Sequence, residues 1–194
     1  MSFGDYGGVS YATKTNGTLW SWGYNNNNGG GQLGHNNLGN FYSSPTQIGT
    51  GTDWATGNSK LMGGYRMAAC IKTDGTLWTW GGNSNGQCGV NVGFNPAYPE
   101  SSPNQPAGHS GFSSPVQVPG TTWNTVLQGG DTMWAQKTDG TQWVWGSGTS
   151  GQMGRNDRTS YSSPVQVSSD FRSTFNENGS ISGFEYSACG FKGT

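Results

Sequence analysis

A short phrase, GTLWSWG at residues 17–23, returns as GTLWTWG at 75–81 and GTQWVWG at 140–146. Other landmarks return with it in fixed order. A Gly-Gln-x-Gly tract follows each phrase (31–34, 86–89, 151–154), then Ser-Ser-Pro (43–45, 113–115, 162–164), then an aromatic residue, Trp54, Trp123 or Phe171. Such an ordered recurrence marks a repeat, and one unit of this size cannot bury its apolar faces alone, so neighbouring units must stack. The units run over about 9–62, 63–128 and 129–180, with a partial unit at 181–194 that carries FEYSACGFKGT from Phe184 on. Together they make a single repeat domain over 1–194, with an inserted Pro/Asn/Ser/Gly-rich loop at 90–112.

Within a unit, A-x-x-K-T-D-G-T-L-W-T-W reads as two strands about a tight turn. Asn16-Gly17, Asp74-Gly75 and Asp139-Gly140 are hairpin signals, because Gly accepts positive φ and Asn or Asp tolerates it. The second strand alternates: Leu19 and Ser21 face one way, Trp20 and Trp22 the other. Gly23, Gly81 and Gly146 end that strand. Ser-Ser-Pro reads as a turn into a further short strand, with Pro at a strand start, where the missing N–H costs least. No segment carries a 3.6-residue period. An all-β fold of radiating blades, a β-propeller, fits the period, because both faces of most blades are covered by neighbours. The tryptophans make this affordable in a chain that is only 30% hydrophobic. Burying one removes ~150–250 Å² from water, or about 4–6 kcal/mol before entropy.

Charge narrows the function classes. Charged residues are 10% of the chain and the formal net charge is −1, with lysines and arginines scattered. That excludes a cationic nucleic-acid stripe and an electrostatic membrane surface. No apolar run reaches membrane-spanning length. The first residues, MSFGDYGGVSYA, have neither the basic nor the hydrophobic region of a secretory leader.

The repeat resembles the RCC1 (regulator of chromosome condensation) family. Its unit carries a tract like D-G-x-V-Y-x-W-G-x-N-x-x-G-Q-L-G followed by a Pro-containing strand entry. Asp74-Gly75, Trp80-Gly81, Asn83, Gly86-Gln87 and Gly89 match it, as do Asn16-Gly17, Trp22-Gly23 and Gly31-Gln32-Leu33-Gly34. The third unit matches with Asp139-Gly140, Trp145-Gly146 and Gly151-Gln152-Met153-Gly154, and Pro45, Pro115 and Pro164 fit the strand entry. The resemblance implies RCC1-like β-propeller blades. Family propellers usually have seven, so three and a fraction imply a partial or very small propeller, completed or covered by other subunits. Gln142, where the other units have Leu19 and Leu77, marks one face of the third unit as different.

Candidate sites are few. The six tryptophans Trp20, Trp22, Trp78, Trp80, Trp143 and Trp145 are assigned to the repeat core, packing between blades. Arg155, Asp157 and Arg158 are the densest charge cluster and the candidate interface. Gly29–Gly34 spells G-x-G-x-x-G, but no helix follows, so it reads as a turn and not a dinucleotide loop. His35 and His109 have no partner at ligand spacing, so no metal site is expected. Cys70, Cys88 and Cys189 read as free thiols. Nothing selects a carboxylate pair or a nucleophile with its base, so no cofactor and no catalytic residue is assigned, and the chain is read as non-enzymatic.

The leading functional reading is a structural or assembly protein. The short, Gly/Asn/Ser-rich form resembles bacteriophage reading frames, which implies a virion component such as a capsid decoration or tail appendage. One alternative is a glycan-binding propeller using Tyr42, Phe94, Tyr98, Phe112 or Tyr161. Another is a cytoplasmic protein-interaction module. The expected partners are other protein subunits, in homo- or hetero-oligomers, and surface glycans in the lectin alternative, with no nucleic acid and no membrane.

Overall fold

A computed structural model describes residues 2–3, 8–25, 31–64, 66–92 and 111–167. The expected partial unit at 181–194, most of the inserted loop, Phe171, His109 and Cys189 lie outside them. The described strands form three four-stranded antiparallel sheets, each in sequential order. The first holds β1 (Ser2–Phe3), β2 (Val9–Thr13), β3 (Leu19–Gly23) and β4 (Tyr42–Gln47). The second holds β5 (Leu61–Gly63), β6 (Met67–Ile71), β7 (Leu77–Gly82) and β8 (Gly111–Gln117). The third holds β9 (Trp123–Gly129), β10 (Thr132–Lys137), β11 (Gln142–Gly146) and β12 (Tyr161–Gln166). The sheets pack in sequence: β5 lies against β1 and β2, and β9 against β5 and β6. Among the described residues no helix is long and apolar enough to cross a membrane.

The core lies between the sheets and shows which way each face points. One cluster joins Val9, Tyr11 and Leu19 of the first sheet to Leu61, Ala68, Cys70 and Trp80 of the second. The next joins Met67, Ala69, Ile71 and Leu77 of the second to Val126, Met133, Ala135 and Trp145 of the third. In β7, then, Trp80 faces the preceding sheet and Leu77 the following one, as the two-residue alternation of a strand requires. The third sheet's outward face carries a smaller cluster, Val144, Met153 and Val167. Gln142 stands on that face in register with Leu77 and is buried at 6% exposure.

Two local expectations are corrected. The hairpin turns are not two-residue loops with positive φ at both positions. Only the glycines, at φ 78°, 80° and 85°, are left-handed. Gly17 N–H donates to the Lys14 carbonyl and Lys14 N–H to the Thr18 carbonyl, a three-residue turn with a bulged glycine. The acidic residue instead binds the backbone beyond it: Asp74 Oδ1 accepts from Thr76 N–H at 2.9 Å and from its hydroxyl at 2.7 Å. That is the local side-chain bond Asp and Asn favour in turns. The prolines also do not start their strands. Pro45, Pro115 and Pro164 sit inside β4, β8 and β12. These are edge strands, and the register shifts opposite each proline, so the missing N–H leaves no ladder bond unmade.

Candidate interaction interface

The Gly-Gln-x-Gly tract is a tight turn closed by its glycines. Gly34 N–H donates to Gly31 O at 2.9 Å, Gly89 N–H to Gly86 O at 2.9 Å and Gly154 N–H to Gly151 O at 3.1 Å. Both glycines of every tract have positive φ, between 64° and 77°. The third residue, Leu33, Cys88 or Met153, is fully buried and plugs the turn onto its own sheet. Side chains from the preceding strand pin it there: Ser21 Oγ donates to Leu33 O and Thr79 Oγ1 to Cys88 O, each at 2.7 Å. The turn thereby presents the glutamine carbonyl to the next sheet.

The next sheet answers with an indole. Trp80 Nε1 donates to Gln32 O at 2.9 Å, and Trp145 Nε1 to Gln87 O at 2.8 Å. Both tryptophans are fully buried. The turn's last glycine makes room for the ring, since a Cβ on Gly34 would stand 3.0 Å from Trp80 Nε1 and one on Gly89 2.6 Å from Trp145 Nε1. Its first glycine meets a serine of the next sheet's edge strand. A Cβ on Gly31 would lie 2.6 Å from Ser113 Cβ, and one on Gly86 2.7 Å from Ser162 Cα. Finally, a left-handed asparagine two residues past the turn donates its N–H to that serine's carbonyl: Asn36 to Ser113 at 2.7 Å and Asn91 to Ser162 at 2.8 Å. Gly-Gln-x-Gly-x-Asn on one sheet and Trp plus Ser on the next thus form a latch, which occurs twice between the three sheets.

The two tryptophans of each phrase have different surroundings. Trp20, Trp78 and Trp143 are half-buried and donate to the hydroxyl of Thr18, Thr76 or Thr141 in their own hairpin, at 2.8–3.0 Å. A lysine lies over each ring: Lys14 at 3.6 Å from the Trp20 centroid, Lys72 at 4.7 Å from Trp78 and Lys137 at 4.5 Å from Trp143. Trp22, the first sheet's counterpart of Trp80 and Trp145, is half-buried.

The charge cluster at 155–158 is also partly engaged. Arg155 donates to Gln166 O and lies 5.3 Å over the Tyr161 ring. Asp157 accepts from Tyr161 Oη at 3.0 Å and from Thr159 N–H at 3.0 Å. Arg158 is exposed. The cluster adjoins the third turn.

Other titratable groups are placed for packing. Burial pushes the Cys88 thiol up to about 12 and raises that of Cys70 as well; both are free thiols. Half-burial lowers the His35 imidazole, which meets Ser21 Oγ at 3.0 Å and packs at a tilt against the Tyr42 ring, centroids 4.8 Å apart. Asp131 accepts from Asn85 and Gln87 of the preceding sheet at 2.9 and 3.2 Å, while burial raises its carboxyl above the usual range. Among the described residues no group of His, Cys, Asp and Glu could hold a metal ion. Of the proposed sugar-facing aromatics, Phe112 is buried at 4% exposure, and Phe94 and Tyr98 lie outside the described residues. Among the described residues the exposed large aromatics are instead Tyr24 and Phe41, whose rings lie 5.0 Å apart. In the sequence Gly-Gln-x-Gly reads only as a structural turn. The signal for the latch was the strict pairing of that tract with a Trp-Gly in every unit.

The regulator of chromosome condensation (RCC1) repeat model matches residues 139–190. No curated protein sequence matches the chain. Among solved structures, yeast RCC1 (Prp20) bound to Kap60 is similar at TM-score 0.68 and 18% identity, over 85% of this chain and 37% of that one. A second, Prp20p from Saccharomyces cerevisiae, whose binding to Gsp1p and histones is described with it, is similar at TM-score 0.65 and 17% identity, over 85% of this chain and 38% of that one. The chain thus spans less than two fifths of the length of these two structures, and what it shares with them is an all-β, RCC1-like fold, here of three sheets among the described residues.

Proposed function

We propose that this chain is a non-catalytic protein-interaction module built from RCC1-like blades, a partial propeller that other protein subunits complete or cover. One observation carries the reading: the latch joins each sheet to the next, and the first and third sheets each hold one half of it without a counterpart among the described residues. The relatives' structures favour an interaction module over a virion component or a lectin, since the proteins named with them are protein partners: Kap60, Gsp1p and histones. In this proposal the sequence units are those given above, with a partial unit at 181–194. Arg155, Asp157 and Arg158 border the contact surface, and the six phrase tryptophans serve the blades.

Chemical crosslinking of the chain in extract of its native cells, with crosslinked residues mapped by mass spectrometry, tests this. Crosslinks from Lys14 or Lys60 to residues of other protein chains are expected. Selective binding on a glycan array, with no crosslink to any protein, would overturn it in favour of the lectin.

A further inference from the structure

The unmatched halves of the latch are complementary to each other. At the head of the chain stand Trp22 and Ser43, in the places held by Trp80 and Ser113 in the second sheet and by Trp145 and Ser162 in the third. At the tail stand Gly151, Gln152, Gly154 and Asn156, in the places of Gly31, Gln32, Gly34 and Asn36. The tail half is already in its latching conformation: Gly151 has φ 75°, Gly154 φ 64° and Asn156 φ 60°, against 77°, 76° and 57° in the first sheet. Among the described residues its space is open, since a Cβ on Gly151 or Gly154 would meet nothing within 4 Å. Exposure follows the same division. Gly34, Gly89 and Ser113 are buried where the latch is closed, while Gly154 and Ser43 are exposed where it is open.

From this complementarity we infer that two copies of this chain dock head to tail, with Trp22 of one copy donating its indole N–H to the Gln152 carbonyl of the next. Asn156 of the second copy then donates its backbone N–H to the Ser43 carbonyl of the first. The interface continues one the chain already makes twice within itself. The chain's own residues 168–194 cannot supply the indole, because they contain no tryptophan. The exposed pair Tyr24 and Phe41 flanks the head half, and Arg155 and Arg158 flank the tail half, where a cation can lie over an aromatic face. A head-to-tail contact closes into a ring if its rotation allows, and otherwise extends as a filament. This pairing rests on the interaction-module reading and names the partner as a second copy.

Light scattering on the full-length chain, over a graded concentration series, tests it with two variants. Ser43→Arg blocks the head at an exposed position. Gly154→Asn keeps a left-handed conformation accessible and adds a side chain where the indole must sit. The wild type is expected as multiples of the protomer mass, and each variant alone as a folded monomer with wild-type circular dichroism. An equimolar mixture is expected to return a one-to-one dimer and stop there, since its remaining head and tail are both blocked. Trp22→Phe and Gly151→Asn serve if either first variant fails to fold. A wild type that stays monomeric throughout, a folded variant that keeps the wild-type mass, or a mixture that stays monomeric would each overturn the pairing. A monomer that still crosslinks to a foreign protein sinks the pairing and leaves the interaction reading standing. An assembled chain that binds only glycans does the reverse.

Discussion

The indole of Trp145 donates its N–H across a sheet boundary to the backbone carbonyl of Gln87, at 2.8 Å and out of reach of solvent. Trp80 makes the same bond to Gln32, but that carbonyl also accepts from the Tyr11 hydroxyl at 2.6 Å. The two latches therefore differ in what a lost indole leaves behind. Trp145→Phe strands a buried acceptor, at about 1–3 kcal/mol, besides lost packing. Trp80→Phe leaves Gln32 with Tyr11 still bonded. Denaturant unfolding should show the larger loss for Trp145→Phe, and adding Tyr11→Phe to Trp80→Phe should bring the two losses together.

The glycines of the turns give a second, graded test. Any L side chain at the left-handed φ of Gly89 or Gly154 costs about 1–2 kcal/mol. At Gly89 the new Cβ would also stand 2.6 Å from Trp145 Nε1, where overpacking adds about 1–3 kcal/mol. Gly89→Ala should thus destabilise the monomeric chain clearly more than Gly154→Ala, by denaturant midpoint at unchanged slope. Equal losses would mean that the close approach of glycine and indole does not matter to stability.

Much of this arrangement is legible from residues alone. The Asn/Asp-Gly pairs place the hairpins, and the alternation Leu-Trp-x-Trp assigns opposite faces to Leu77 and Trp80. The hidden parts depend on three-dimensional neighbours. Trp78 and Trp80 share a strand face, yet one lies toward the hairpin and bonds Thr76, while the other lies opposite the preceding sheet's turn. Periodicity fixes a face, not a position along it. The turn type stays hidden because the sequence shows only that Asp74 tolerates positive φ, whereas its carboxylate binds Thr76 and Gly75 alone is left-handed. Phe112 looked like a sugar platform in a polar loop and is buried. No local signal announces that burial.

Carboxylates of opposite shift give the pH dependence two signs. The bonds from Thr76 and Thr141 hold Asp74 and Asp139 below the usual carboxylate range. Their contribution is present above the unfolded-state value and is lost as pH falls through the lower folded-state value. Burial raises Asp131, so the folded state holds its proton more tightly, and stability falls as pH rises from the ordinary carboxylate value to the raised one. Asp131→Asn should remove that decline, and Asp74→Asn should weaken the acid-side loss, in unfolding titrations over the acidic range.

Thiol chemistry checks the burial directly. Cys70 and Cys88 are fully buried and their thiols are held protonated. Both should resist alkylation by iodoacetamide in the native protein at neutral pH and react on unfolding, with modified peptides assigned by mass spectrometry. Labelling of Cys88 in the native chain would show that the second turn opens.

The latch that holds the sheets together is also what Trp22 of one copy and residues 151–156 of the next offer each other. A photocrosslinking phenylalanine analogue at position 22, in a mixture of isotopically light and heavy chains, reads this most directly. A crosslink between light and heavy chains, from position 22 to residues 151–156, is expected. Crosslinks confined to single chains, or falling on residues 168–194, would contradict it.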